Sequence, residues 1–216
     1  MKPRVSNRKT AALTLVEVVV FVMFVLAVYL VLPRLAGSHR SQRIECENNL
    51  KQIGLGYQIW AADNNGRYPM EMSVTNGGLR ELYNGRNAWI NYFVMSKQLS
   101  TPKILHCPSD ANGFAATNFS TDFNNRNVSY FVGLDADTNH PQALLSGDDN
   151  FEIGGVPVKS GLLQFSTNTP IAWTTARHNR AGNIGLADGS VQAFSNSGLT
   201  NWLQKTGLAT NRLAIP

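Results

Sequence analysis

Cysteine is almost absent from this chain. Cys46 and Cys107 are its only two in 216 residues, and they stand far apart in sequence. Zinc ribbons and fingers draw on closely paired Cys and His, so that class is excluded by spacing. Charge is scarce too: Asp, Glu, Lys and Arg make up 15% of the chain, while Gly, Asn, Ser and Thr are plentiful. This balance suits an extracytoplasmic, loop-rich fold rather than a cytosolic helical enzyme. The first twelve residues lack any acid but carry Lys2, Arg4, Arg8 and Lys9. Without these four, fifteen cations face fourteen acids, so the formal net charge of +5 belongs mainly to the N-terminal segment. No nucleic-acid partner is expected from such a distribution. There is no Gly-x-Ser-x-Gly elbow or zincin helix, no close carboxylate pair accompanies His178 and Asp188, and the chain is not expected to be an enzyme.

What is present begins at Leu13. From there to Leu32 run twenty residues that leave no polar face, about 30 Å as a helix, which matches the hydrocarbon core of a bilayer. A cleaved secretory signal has a shorter apolar core, and here Arg34 follows just after Pro33. A plain signal anchor fits the length but leaves Glu17 unexplained. A carboxylate at that depth costs roughly 3 kcal/mol on insertion scales and normally has a function. Beyond Pro33 the chain turns polar yet keeps helical spacing, with Ile44, Leu50, Ile53, Leu55, Tyr57 and Trp60 among Arg40, Arg43, Glu45, Glu47 and Lys51. This predicts an amphipathic continuation to about Ala62, locally bent at Gly54 and Gly56 and stopped by Asp63-Asn64-Asn65-Gly66.

The segment Ala12-Leu13-Thr14-Leu15-Val16-Glu17 resembles the cleavage and methylation site of type IV prepilins and type II secretion pseudopilins. Cys46-Glu47-Asn48-Asn49-Leu50-Lys51-Gln52-Ile53-Gly54, Cys107-Pro108-Ser109-Asp110, and His178 followed after nine residues by Asp188-Gly189 resemble a bacterial group of pilin-like proteins carrying these blocks in this order. Ala12 stands where the family usually has Gly, and Leu13 where it usually has Phe.

The resemblance implies a prepilin peptidase and methyltransferase as partner, cutting between Ala12 and Leu13 and methylating the new N-terminus at Leu13. Glu17 then becomes the fifth mature residue, poised to pair with the N-terminal amine of a neighbouring subunit, and Pro33 falls near the family's helix-kinking proline. It also implies self-association with other pilin-like subunits, an inner-membrane assembly platform, and a single-pass topology with a cytoplasmic N-terminus and periplasmic head. The expected organisation is a cleaved leader, 1–12; a transmembrane helix, 13–32; its amphipathic continuation, 33–62; and a β-rich head, 63–216. The fold class is α+β, a long N-terminal helix packed on a small antiparallel sheet. The alternative is a membrane-anchored glycan- or ligand-binding module that never enters a filament.

In such a compartment Cys46 and Cys107 are expected to form a disulfide, against the alternative of two unpaired thiols. Val128–Val132, Gln142–Leu145 and Pro170–Trp173 read as strands. Asp188-Gly189 reads as a two-residue type I′ turn, which sets Ile184 and Leu186 on one apolar face with Val191 and Ala193. Residues 197–205 read as a closing helix with Leu199, Trp202 and Leu203 inward, stopped at Gly207. His178 and Asp188 invite an acid–base reading, but the turn explains Asp188-Gly189, and His178 is expected to brace the loop before it. No cofactor is required; Asp135, Asp137, Asp148 and Asp149 are oxygen donors suited to a structural calcium. Trp60, Trp89, Trp173 and Trp202 are the candidates for a sugar-binding surface.

Overall fold

The computed structural model describes residues 14–82 and 87–216, with the backbone alone for 30–39. The chain divides into two units, residues 1–40 and 41–216. One helix, α1, Leu15–Asp63, contributes to both. Its start is chemically defined. The Thr14 backbone N–H donates to Glu17 Oε2 at 2.8 Å, and the Glu17 N–H donates back to Thr14 Oγ1 at 3.4 Å. That reciprocal pair is a capping box, which satisfies two backbone donors that a helix N-terminus otherwise leaves free.

Among the described residues no helix is long and apolar enough to cross a membrane. The described side chains of the apolar run are residues 14–29, sixteen in number. A spanning helix needs about 20. Their large side chains are exposed, Phe21 and Phe24 at 66% each.

The second unit is α+β with antiparallel sheets. Its strands are β1 Tyr130–Gly133, β2 Leu144–Asp148, β3 Phe151–Ile153, β4 Val156–Pro157, β5 Gly161–Ser166, β6 Ile171–Trp173, β7 Ala181–Leu186, β8 Val191–Ser195 and β9 Thr210–Ile215. Six form one sheet in the order β5-β9-β1-β2-β7-β8, and β4-β3-β6 form a second. Short helices α2, Ala88–Val94, α3, Ser96–Leu99, and α4, Asn196–Leu203, complete the unit.

The central strands β1, β2 and β7 of the large sheet are buried on both faces. Strand side chains alternate, so one strand can serve two cores when both sets are apolar. Tyr130 and Val132 of β1, Leu145 of β2 and Ala214 of β9 pack with Cys46, Leu50, Ile53, Tyr57 and Ala61 of α1. Phe131, Leu144, Leu213 and Ile215 point the other way, to Phe151 and Trp173 of the small sheet and Leu199 and Leu203 of α4. The result is three layers: α1, the large sheet, and the small sheet with α4.

Several sequence expectations are refined. On α1 the buried positions recur every three or four residues from Cys46 to Ala61, while Ile44 and Leu55 face outward at 49% and 55% exposure. Helical assignment is continuous through Gly54 and Gly56. Both glycines serve close approach: a Cβ on Gly56 would meet Leu99 Cδ2 at 2.7 Å, and one on Gly54 would touch Gly189 O at 3.6 Å.

The β7–β8 hairpin is not the two-residue turn that Asp188-Gly189 suggests. Its register pairs Gly185 with Val191 and Ile184 with Gln192, one residue away from the expected alignment. The Gly189 N–H bonds Leu186 O at 2.9 Å, and Gly189 takes φ +84°. Ala187 and Asp188 thus form the turn, with Gly189 as the left-handed third loop residue that glycine adopts without strain. The slip changes faces. Ile184 and Leu186 join Phe194 in the inner core, while Ala187 and Val191 pack on the α1 side.

Candidate functional site

Two of the polar residues singled out in sequence, His178 and Asp148, meet at the disulfide. Cys46 of α1 and Cys107, just beyond the 3-10 turn Pro102–Leu105, are bonded with Cα atoms 5.3 Å apart. Both are fully buried. His178 enters from the segment before β7, where His178, Asn179 and Arg180 take φ of +49°, +50° and +60° in succession. Three left-handed non-glycine residues in a row are costly, of order 1 kcal/mol or more each. The His178 side chain is 1% exposed, with Nε2 3.4 Å from Cys107 Sγ and 3.5 Å from Asp148 Oδ2. Asp148 Oδ2 also accepts from the Asn183 backbone N–H at 2.8 Å and Nδ2 at 3.1 Å, while Oδ1 is buried without a hydrogen-bond partner.

A second buried cluster lies alongside in sequence. Arg177 donates to Ser129 O at 2.9 Å and Asp110 Oδ2 at 2.7 Å, and its Nη1 is 2.5 Å from Asp149 Oδ1. Ser129 Oγ also donates to Asp110 Oδ2, at 2.7 Å. One guanidinium is therefore shared by two carboxylates. Burial, with Asp110 and Asp148 nearby, pushes the Asp149 carboxyl from its ordinary 3.8 up to about 7 against the pull of Arg177.

The sign follows from linkage. A raised native pKa means that the folded state holds the proton where the unfolded chain has released it. Asp149 stabilises the fold fully below about pH 3.8 and loses that contribution as pH rises through about 7. Thermal unfolding from pH 4 to pH 8 is expected to show this decline, and Asp149→Asn to flatten it. A variant with the wild-type slope would assign the titration elsewhere.

His178 and Asp188 do not form an acid–base pair; they sit at opposite ends of β7. Asp188 Oδ1 accepts from the Ser190 N–H at 2.8 Å, and its carbonyl accepts from Gln58 Nε2 at 3.1 Å. His178 thus meets the Cys46 end of α1 through the disulfide, and Asp188-Gly189 meets Gln58 and Gly54. Cys46 and Gln58 are separated by about 18 Å of helix rise, and the six residues of β7 span about 20 Å. The nine-residue spacer is the strand that fits between two attachments to one helix.

The remaining candidates disperse. The Asp135 carboxylate accepts from the Arg212 backbone N–H at 2.7 Å and Nε at 2.8 Å, and Asp137 Oδ1 contacts His140 Nδ1 at 2.9 Å. Of the four proposed calcium carboxylates, Asp148 alone belongs to the metal-competent group found among the described residues: Cys46, Cys107, Asp148 and His178. Trp173 is fully buried against Phe151, Trp60 and Trp89 pack on the α1-side core, and Trp202 on the other. They form no shared sugar platform, because each is consumed by packing. Ala12 and Leu13 lie outside the described residues, and at Pro33 only the backbone, within α1, is described. Glu17 is exposed and engaged in its capping box.

Two things were missed in sequence. Thr14-x-x-Glu17 is a visible capping signature. Asp110 was visible as the end of the Cys107-Pro108-Ser109-Asp110 block, but its pairing with Arg177 was not, because that partnership spans 67 residues. No protein-family model, curated protein or solved structure matches this chain.

Proposed function

We propose that the chain is a prepilin-like subunit, anchored by the apolar helix and assembled into a type II secretion pseudopilus or a type IV pilus-like filament. The observation that carries this reading is positional. The first twelve residues are basic and free of acid, and Glu17 is the fifth residue of the twenty-residue apolar run that starts at Leu13. In support, α1 extends to Asp63, and its C-terminal half packs on an antiparallel sheet, as the pilin plan requires. The peptidase would cut the Ala12–Leu13 bond and methylate the Leu13 amine, leaving the head outside the inner membrane. The chain does no chemistry of its own in this role; it is a substrate and then a building block.

Mass spectrometry of the mature N-terminus tests this directly. Co-expressed with a prepilin peptidase, the protein is expected to lose residues 1–12 and gain one methyl group on Leu13. Retention of the leader under those conditions overturns the proposal and favours the simply anchored binding module.

A further inference from the structure

We propose that Cys46, Cys107, His178 and Asp148 form a zinc site in the thiol form of this protein, the metal replacing the disulfide as the clamp between α1 and the sheet. Their ligand atoms all lie within 4.8 Å of one another. His178 Nε2 is 3.4 Å from Cys107 Sγ and 3.5 Å from Asp148 Oδ2. In a tetrahedron with bonds of about 2.0–2.3 Å, neighbouring ligands stand about 3.3–3.8 Å apart. Two edges of that figure already have the right length. The Sγ–Sγ edge becomes available once the covalent bond is gone and the sulfurs part to non-bonded contact.

The surroundings fit a metal rather than two bare thiols. Cys46, Cys107 and Asp148 are fully buried, and Asp148 keeps one oxygen without a hydrogen-bond partner. The Asn183 backbone and side-chain N–H groups hold Oδ2, the oxygen 3.5 Å from His178 Nε2, as outer partners that orient a ligand do. Two thiolates, one carboxylate and a neutral imidazole are the borderline-soft set that zinc accepts, and four protein ligands close the site against catalysis.

The chemistry balances simply. A phosphine with water, or a dithiol, supplies two electrons and two protons; the S–S bond breaks and two thiols form, while the reductant becomes a phosphine oxide or a disulfide. Zinc then displaces both thiol protons, forms two Zn–S bonds, and undergoes no redox change. This inference does not depend on filament assembly.

The test uses the full chain in detergent micelles, produced and kept under a phosphine so that the disulfide never forms, with cobalt(II) as the probe. One equivalent is expected to bind, giving the visible bands of tetrahedral cobalt and thiolate charge transfer in the near ultraviolet, with zinc bleaching both. The oxidised protein should give neither. His178→Ala should weaken binding at least about 100-fold, since even loss of an outer partner costs about 10–100-fold. His178→Cys, offering a third thiolate, should restore it with stronger charge transfer. Absence of stoichiometric binding to reduced protein that circular dichroism shows folded overturns the proposal. So does unchanged affinity in His178→Ala, which would leave the thiolates as sole ligands.

Discussion

Glu17→Val is expected to leave the protein processed and membrane-bound yet at least about tenfold depleted from filaments. A carboxylate in hydrocarbon costs roughly 3 kcal/mol unless a cation meets it, and removing one member of a buried pair strands the other. In the proposed assembly, that cation is the N-terminal amine of the adjacent subunit, so Glu17 penalises every misregistered docking. The Thr14–Glu17 capping box introduces a competing explanation, because Val also removes the helix cap. Glu17→Gln separates them: glutamine can close a capping box but cannot pair as an anion. Charge pairing predicts that Glu17→Gln assembles as poorly as Glu17→Val, read as the ratio of sheared-filament to membrane-retained protein. Wild-type assembly of Glu17→Gln would instead assign the residue to starting the helix.

The second large effect concerns the head. Replacing both Cys46 and Cys107 by Ala is expected to destabilise it by about 4 kcal/mol, because the bond closes a long loop of the unfolded chain. The separation is 61 residues, and the bond attaches α1 to the Cys107 loop where both sulfurs are fully buried. For a unit of this size, each kcal/mol moves the midpoint by about 2–4 °C, so Tm should fall by about 8–16 °C. Thermal unfolding followed by circular dichroism, in oxidised wild type and the double variant, checks it. A drop of less than about 3 °C would mean that the packing of Leu50, Ile53 and Tyr57 holds α1 without the staple.

Much of the fold was legible locally. The apolar periodicity of α1 and its stop near residue 63 were readable, because a helix buries one face at fixed spacing. So were β1, β2 and β6, and α4 with its inward Leu199 and Leu203. The C-terminal strand β9 was not read, although it lies between β5 and β1. Its sequence, Thr-Asn-Arg-Leu-Ala-Ile, alternates only weakly. The hairpin register failed for a related reason: Asp-Gly suits both a two-residue turn and the end of a three-residue loop, and local sequence does not separate them. What decided it was the demand for Ile184, Leu186 and Phe194 on one face and Ala187 and Val191 on the other.

Sequence alone established the acid-free N-terminal twelve residues, the single carboxylate near the start of a twenty-residue apolar run, and the order of the cysteine and His-to-Asp-Gly blocks. These are properties of neighbours along a chain, and periodicity or spacing displays them. Tertiary structure alone decided that β7 is buried on both faces and that the His-to-Asp-Gly spacing is one strand laid along α1. It also decided that two distant cysteines, a histidine and an aspartate share one buried point. Spacing excluded a zinc ribbon or finger, yet the fold collects four ligands from α1, a loop, a strand end and a left-handed turn. A metal or a disulfide responds to distance in space, and the sheet sets those distances between residues that the sequence keeps apart.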